Sequence, residues 1–247
     1  RSGWFILMGK IRFSRKTFIR TFLVMKSDSP YVSKLYGRKK SRSLNTNSQY
    51  ILKNLFPKYK FEDESVIAID DNIEFEIGFG YGEHLLWQAI NNKNKMFIGA
   101  EPFISGAVNL IKEINQKQIK NIRISTDDAI NILDTMADCY LSSIYILFPD
   151  PWPKRRHHKR RLINPNNVDK FHRVLKKNGK IIIASDHKGY IHSILLDFLY
   201  DNRFDWICEK SSDFTEKPFP STQSKYEKKA IKNNQNPVYF TFKKISL

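Results

Sequence analysis

Apolar and polar positions along this chain alternate between two periods. Residues 73–77, Ile-Glu-Phe-Glu-Ile, switch side with every residue, the period of a β-strand. Residues 96–100, 122–125, 144–148 and 180–184 are short apolar runs and read as buried strands. Between them the period lengthens. Ile104, Val108, Ile111 and Ile114 recur at helical spacing inside an expected helix over 103–117. Further helices are expected over 83–91, 129–137, 164–177 and 190–200, the third of these stopped by Asn178-Gly179. A short one over 48–55 is closed by Pro57. Strands over 204–209 and 237–245 complete the series, and residues 211–236 form a long polar connection of the kind that usually serves function. Strand and helix in alternation predict an α/β protein, with seven strands in a mostly parallel, doubly wound sheet and helices on both faces.

In such a sheet, ligands sit beyond the carboxyl ends of the strands. The first strand ends in Gly78-Phe79-Gly80-Tyr81-Gly82, a turn whose glycines let the backbone approach a ligand closely. A dinucleotide fingerprint needs a sixth-position glycine, and Glu83 stands there; a P-loop needs a Lys-Ser or Lys-Thr pair, which is missing. Glu76, just before the first glycine, would repel a pyrophosphate and suits a ligand carrying an ammonium and a sulfonium. That selects S-adenosylmethionine over NAD or ATP. Glu101 ends the second strand, where a ribose diol is gripped, and is equally placed to cap the next helix. At the third tip Asp128, followed by Ala129, is assigned to an adenine amino group, with Asp127 or a plain helix cap as the alternatives. Asp186 follows the fifth strand.

The fourth strand runs into Phe148-Pro149-Asp150-Pro151-Trp152-Pro153, a turn stiffened by three prolines. Six Lys or Arg and two His fill the next eight residues, from Lys154 to Arg161. A fixed carboxylate and an indole beside so many cations suit a nucleobase within a nucleic acid. Trp152 either stacks on that base or packs under the turn. No Cys or acid stands at ligand spacing to His157 and His158, so no metal is expected.

Composition extends this picture. The chain has 247 residues and a formal net charge of +17, which calls for a polyanionic partner. Cys139 and Cys208 stand far apart and read as reduced thiols in a cytoplasmic protein. No apolar run reaches the roughly 20 residues of a membrane span. Residues 1–35 are expected to be a disordered extension, residues 36–60 a basic arm with a short helix, and residues 61–247 the catalytic domain. Within the extension, residues 1–25 hold six Lys or Arg and no acid, as a targeting presequence or an extension upstream of a start at Met25 would.

Glu76-Ile77-Gly78-Phe79-Gly80-Tyr81-Gly82, Gly99-Ala100-Glu101-Pro102, Asp128-Ala129 and above all Phe148-Pro149-Asp150-Pro151-Trp152-Pro153-Lys154, with the basic run after it, resemble the bacterial tRNA (guanine-N7)-methyltransferases. The similarity covers residue 36 onward, and the Phe-Pro-Asp-Pro-Trp-Pro run is its most specific part. It implies a class I, Rossmann-like methyltransferase acting on the variable-loop guanine of tRNA, position 46 by tRNA convention. It implies S-adenosylmethionine at Glu76, Gly78, Gly80, Glu101, Asp128, Ala129 and Asp150, with a catalytic part for Asp150. Substrate contacts are implied at Lys154, Asp186, Ser224, Lys225, Tyr226 and Glu227; Ser224 stands where the family usually has Thr. No metal or obligate protein partner is implied, and a monomer or homodimer is expected. A non-catalytic RNA-binding protein would explain the charge but not the acidic strand tips. An exocyclic-amine methyltransferase would carry Pro-Pro and an aromatic after its Asn or Asp, where this chain has Asp-Pro-Trp-Pro.

Overall fold

The computed structural model describes residues 44–62, 72–221, 225–233 and 236–245. The extension and residues 36–43 of the basic arm lie outside these. Seven strands form one sheet: β1 (Ile73–Ile77), β2 (Met96–Ala100), β3 (Ile122–Ser125), β4 (Leu141–Leu147), β5 (Leu175–Ser185), β6 (Phe204–Trp206) and β7 (Val238–Lys244). Their order is β3-β2-β1-β4-β5-β7-β6. The first five pair in parallel, and β7 runs antiparallel to both β5 and β6. The fold is therefore the class I methyltransferase arrangement, with the strand order reversing between β1 and β4. In open sheets of this kind the ligand crevice lies at such a reversal.

Helices cover both faces. Helix α3 (Glu83–Asn91) and α4 (Ile104–Gln116) share one apolar cluster with Phe97, Ile122 and Ile124. Helices α5 (Ala129–Thr135), α6 (Pro165–Val174) and α7 (Lys188–Leu199) pack on the other face against Phe75, Ile98, Ile144 and Ile183. The alternation of β1 is real, but neither of its faces meets water. Ile73, Phe75 and Ile77 join the second cluster, while Glu74 and Glu76 are buried at 4 % and 3 % exposure. Carboxylates this deep need partners: Lys95 Nζ donates to Glu74 Oε1 at 2.8 Å, and His84 Nδ1 lies 2.8 Å from Glu76 Oε2.

Three segments differ from the sequence expectation. The first helix does not stop at Pro57. It runs through α1 (Thr46–Tyr50), a π-helical turn (Ile51–Leu55) and α2 (Phe56–Tyr59). A widened turn just ahead of the proline relieves the missing donor and the ring clash that would otherwise end the helix. Ile51 is buried in the cluster of α4, and Phe61 N–H donates to Ile124 O at 2.8 Å, which covers part of the β3 edge. Second, α6 ends at Val174, because Leu175 turns extended to pair with Leu141 and is fully buried. The buried Lys244 caps that helix end, donating to the carbonyls of His172 and Leu175 at 2.8 and 2.7 Å. Third, the polar connection contains α8 (Ser212–Thr215) and α9 (Lys225–Lys232). Among the described residues no helix is long and apolar enough to cross a membrane.

Gly106, in the first turn of α4, decides how closely that helix meets the glycine turn. A Cβ there would stand 2.0 Å from the carbonyl oxygen of Gly80. Gly106→Ala is expected to destabilise the protein by about 1–3 kcal/mol in thermal or urea unfolding. Unfolding at the wild-type midpoint would contradict this packing.

Candidate active site

The glycine turn is left-handed at three places, with φ of 74° at Gly78, 59° at Gly80 and 85° at Gly82. L-residues with a side chain resist this backbone, so the glycines are structural necessities. The turn is fastened at both ends. Gly78 N–H donates to Ala100 O and Gly80 N–H to Glu101 Oε2, each at 2.8 Å. Nothing lies within 4 Å of where a Gly78 Cβ would stand, so the backbone there borders open space.

Glu101 binds a second backbone donor, Phe103 N–H, through Oε1 at 2.8 Å. Both alternatives for this residue therefore coexist: it holds the start of α4, and each oxygen keeps a lone pair for a ligand hydroxyl. Its burial raises the carboxyl above the usual range, the two N–H bonds oppose that, and Glu76 and Asp150 push it up further. Glu101 thus feels both of the other carboxylates, an arrangement that a cationic ligand would relieve. Asp128 caps α5, accepting Ile130 N–H through Oδ1 at 3.0 Å, with Ala129 buried behind it. Helix capping is thus present, and Oδ2 has no hydrogen-bond donor among the described residues. Asp127 is exposed. Asp186 follows the last residue of β5 and is half-buried, at the same edge of the sheet.

Beyond β4 the backbone is strained at two non-glycine residues, Phe148 (φ 56°) and Trp152 (φ 42°). They bracket Asp150. Phe148 N–H reaches across to Ala184 O at 2.8 Å. Among the described residues Asp150 has no hydrogen bond or ion pair. Its side chain opens to solvent, yet the flanking turn desolvates it enough to raise its carboxyl. The cation block forms a 3₁₀ helix (Arg155–Arg160) whose Arg155, Arg156, His158 and Lys159 are exposed, as is Lys154 before it. Trp152 is half-buried and packs within this unit: the Arg160 guanidinium lies 4.9 Å from its ring centroid and His157 meets it edge-on. The structure therefore supports the packed role for the indole.

One member of the cation block turns inward. Arg161 is buried, its Nε donates to Pro151 O at 2.9 Å and its Nη1 to Ser193 Oγ at 2.9 Å, and its guanidinium covers the Tyr190 ring. It pins the proline turn to α7. Sequence reading had placed it among the phosphate-binding cations; nothing in its composition separates it from its neighbours.

The C-terminal segment folds over the crevice. Lys225 Nζ lies 4.6 Å from the ring centroid of Tyr81, inside the glycine turn. Phe219 packs against His84 and Tyr145 at 4.9 and 5.6 Å between centroids. Glu227 is buried and accepts from Lys217 Nζ at 2.7 Å and Tyr239 OH at 3.0 Å. Its carboxylate anchors α9 from within. Tyr226 is placed only as part of the α9 backbone, and Ser224 lies outside the described residues.

Comparison with known proteins bears directly on this arrangement. A family model described as "Putative methyltransferase" matches residues 70–241. The tRNA (guanine-N(7)-)-methyltransferase of Zymomonas mobilis is 36% identical over 220 residues, covering 87% of this chain and 95% of its own length. The chain belongs to the tRNA (guanine-N7)-methyltransferase family. The Rhizobium etli member is 37% identical, over 85% of this chain and 95% of its own. Among solved structures, a putative rRNA-methylase from Clostridium thermocellum has a TM-score of 0.49 at 16% identity, covering 84% of this chain and 98% of its own.

Within this family member the structure gathers Glu76, Gly78, Gly80, Glu101 and Asp150 at one crevice, with Asp128 and Asp186 at neighbouring strand tips. Sequence reading missed His84, Gly106, the inward turn of Arg161 and a carboxylate behind it. Half-buried Asp197 on α7 has its carboxyl pushed up to about 7 by desolvation, with Arg161 pulling the other way. An acid whose folded pKa is raised keeps its proton where the unfolded chain, near 3.8, has lost it. Stability from this group therefore falls as pH rises from the unfolded value to about 7. Asp197→Asn is expected to melt at a higher temperature than wild type at about pH 8, and at the same temperature near about pH 4. Thermal scans across that range would refute this if the two proteins stayed parallel.

Proposed function

We propose that this chain transfers a methyl group from S-adenosylmethionine to N7 of a guanine in tRNA, at variable-loop position 46. The observation that carries this reading is the likeness to tRNA (guanine-N(7)-)-methyltransferases over 95% of a relative's length, on a chain whose acidic strand tips adjoin an exposed cation block. We read residues 61–247 as the methyltransferase domain, residues 36–60 as a basic arm with a short helix and the cytoplasm as its place of work.

When bound, S-adenosylmethionine supplies a methyl group already activated on a sulfonium sulfur. The residues present fit it: open space beside Gly78, and carboxylates that gain from a nearby cation. Glu76 would hold the ammonium, Glu101 the ribose hydroxyls and Asp128 the adenine amino group, with Ala129 behind it. Guanine N7 carries a free lone pair at neutral pH, so no proton has to leave before attack. The chain's work is then alignment and electrostatics. Asp150, held on a strained and proline-stiffened turn, would fix the guanine and stabilise the positive charge the base acquires. Lys154 and the exposed cations after it would bind the flanking phosphates. Asp186 and the α9 residues Lys225, Tyr226 and Glu227, with Ser224, stay assigned to the substrate side; Glu227 would act there by fixing α9. Reaching the base requires drawing it out of its tertiary contacts, at about a few kcal/mol.

The test is incubation with labelled S-adenosylmethionine and tRNA lacking the modification, followed by nucleoside analysis and mapping. Label should appear as 7-methylguanosine at position 46. Asp150→Asn is expected to lower kcat by about 10²–10³ while the protein still folds. Label in another nucleoside, or wild-type turnover by the variant, would overturn the assignment.

A further inference from the structure

Glu76 is held by a chain of hydrogen bonds with a single direction, running along one side of α3. Asn92 Nδ2 donates to Gln88 Oε1 at 3.0 Å. Gln88 Nε2 lies 3.1 Å from His84 Nε2, and His84 Nδ1 lies 2.8 Å from Glu76 Oε2. His84, Gln88 and Glu76 are exposed by only 3 %, 6 % and 3 %.

The direction follows from what each atom can do. The Gln88 carbonyl oxygen is taken by Asn92, so its amide nitrogen faces the imidazole. An amide nitrogen only donates. His84 Nε2 must then accept, which leaves the ring proton on Nδ1, donating to Glu76. An imidazolium would set two donors against each other at the Gln88 contact. The ring is therefore the neutral tautomer, and this contact leaves the negative charge of Glu76 uncancelled. Glu76 Oε1 has no hydrogen-bond donor among the described residues. Tyr145 and Phe219 flank the imidazole at 4.8 and 4.9 Å between ring centroids and fix its plane. Asn92 is tied down in turn: its Nδ2 also donates to the backbone carbonyl of Gln88 at 2.9 Å, and its own backbone carbonyl accepts from Asn121 Nδ2 at 3.2 Å.

We infer that His84 and Gln88 are positioning residues that hold Glu76 charged and oriented, one oxygen engaged and the other free, to bind the ammonium group of the methyl donor. This rests on the reading above that the crevice takes S-adenosylmethionine. A buried Glu–His ion pair kept only for stability would have the opposite consequence, since an imidazolium would cancel the charge and leave nothing for an ammonium. One oxygen supplied with a donor and one left free also matches a compact point charge, which needs no bidentate partner.

Two ligands separate the possibilities. S-adenosylhomocysteine carries the ammonium; 5′-methylthioadenosine has the same nucleoside and a thioether but no amino-acid group. Calorimetric titration of both into the full chain compares wild type with His84→Ala, His84→Asn, Gln88→Leu and Glu76→Gln. His84→Ala is expected to weaken S-adenosylhomocysteine by about tenfold or more, with methylthioadenosine changed by less than about twofold. Asn, whose amide can donate from near the Nδ1 position, should recover most of the loss. Gln88→Leu should lose less, in the same ligand-selective way. Equal loss of both ligands in the His84 variants makes the residue merely structural and overturns the proposal, as does no loss of either. If Glu76→Gln shows the selective loss and the His84 variants do not, the relay fails while the donor site stands. If the wild-type chain binds neither ligand, the donor site falls and the proposal with it.

Discussion

The crevice depends on the two backbone N–H groups that Glu101 binds. One comes from the glycine turn after β1 and the other from the entry to α4, each at 2.8 Å. Without that carboxylate, two N–H groups at a partly buried junction would lack partners, and the turn would keep only the bond from Asn109 Nδ2 to Tyr81 O at 3.1 Å as a side-chain hydrogen bond among the described residues. The glycines make the clamp possible. Gly80 adopts a left-handed backbone that presents its N–H to Glu101, while Gly106 leaves room for the Gly80 carbonyl on the other side. In the reading proposed above, a charge at a strand tip serves both the fold and the ligand. Burial outweighs the two donors that stabilise its ionised form, and with Glu76 and Asp150 nearby the carboxyl sits above its usual range.

Opposite charges are kept apart by depth. Glu76 and Asp150 both act on Glu101 at the carboxyl ends of β1, β4 and β2, where burial strengthens the interaction. Lys154, Arg155, Arg156 and Lys159, which follow in sequence, are exposed. In the proposed reading, a cationic small ligand and a polyanion meet different surfaces. The proline turn carrying Asp150 lies between them. Arg161 secures it from beneath, bonded to the carbonyl of Pro151 and to Ser193 on α7.

Much of this was legible in the sequence because it is local. The expected bounds of α3 and β3 match the structure, since a sharp change of period and a glycine turn mark them. Seven strands, a parallel sheet and acids at successive tips followed from the same patterns. What stayed hidden is set by contacts between distant residues. Gly106 matters because of Gly80, and Leu175 leaves its helix because Leu141 and Lys244 receive it. His84 meets Glu76 only once α3 folds back along β1. Arg161 looks like five other cations in its stretch until burial singles it out. Glu227 was assigned to the substrate side, and its visible partners are Lys217 and Tyr239.

The most direct test of this account is the affinity of Glu101→Gln for S-adenosylhomocysteine, measured by calorimetry alongside its circular dichroism. The side-chain amide nitrogen cannot accept an N–H, so one arm of the clamp is lost while the shape is kept. A native-like spectrum with affinity lowered about tenfold or more is the predicted result. Wild-type affinity in a folded variant would contradict it, and would mean that neither the clamp nor the ribose contact depends on this carboxylate.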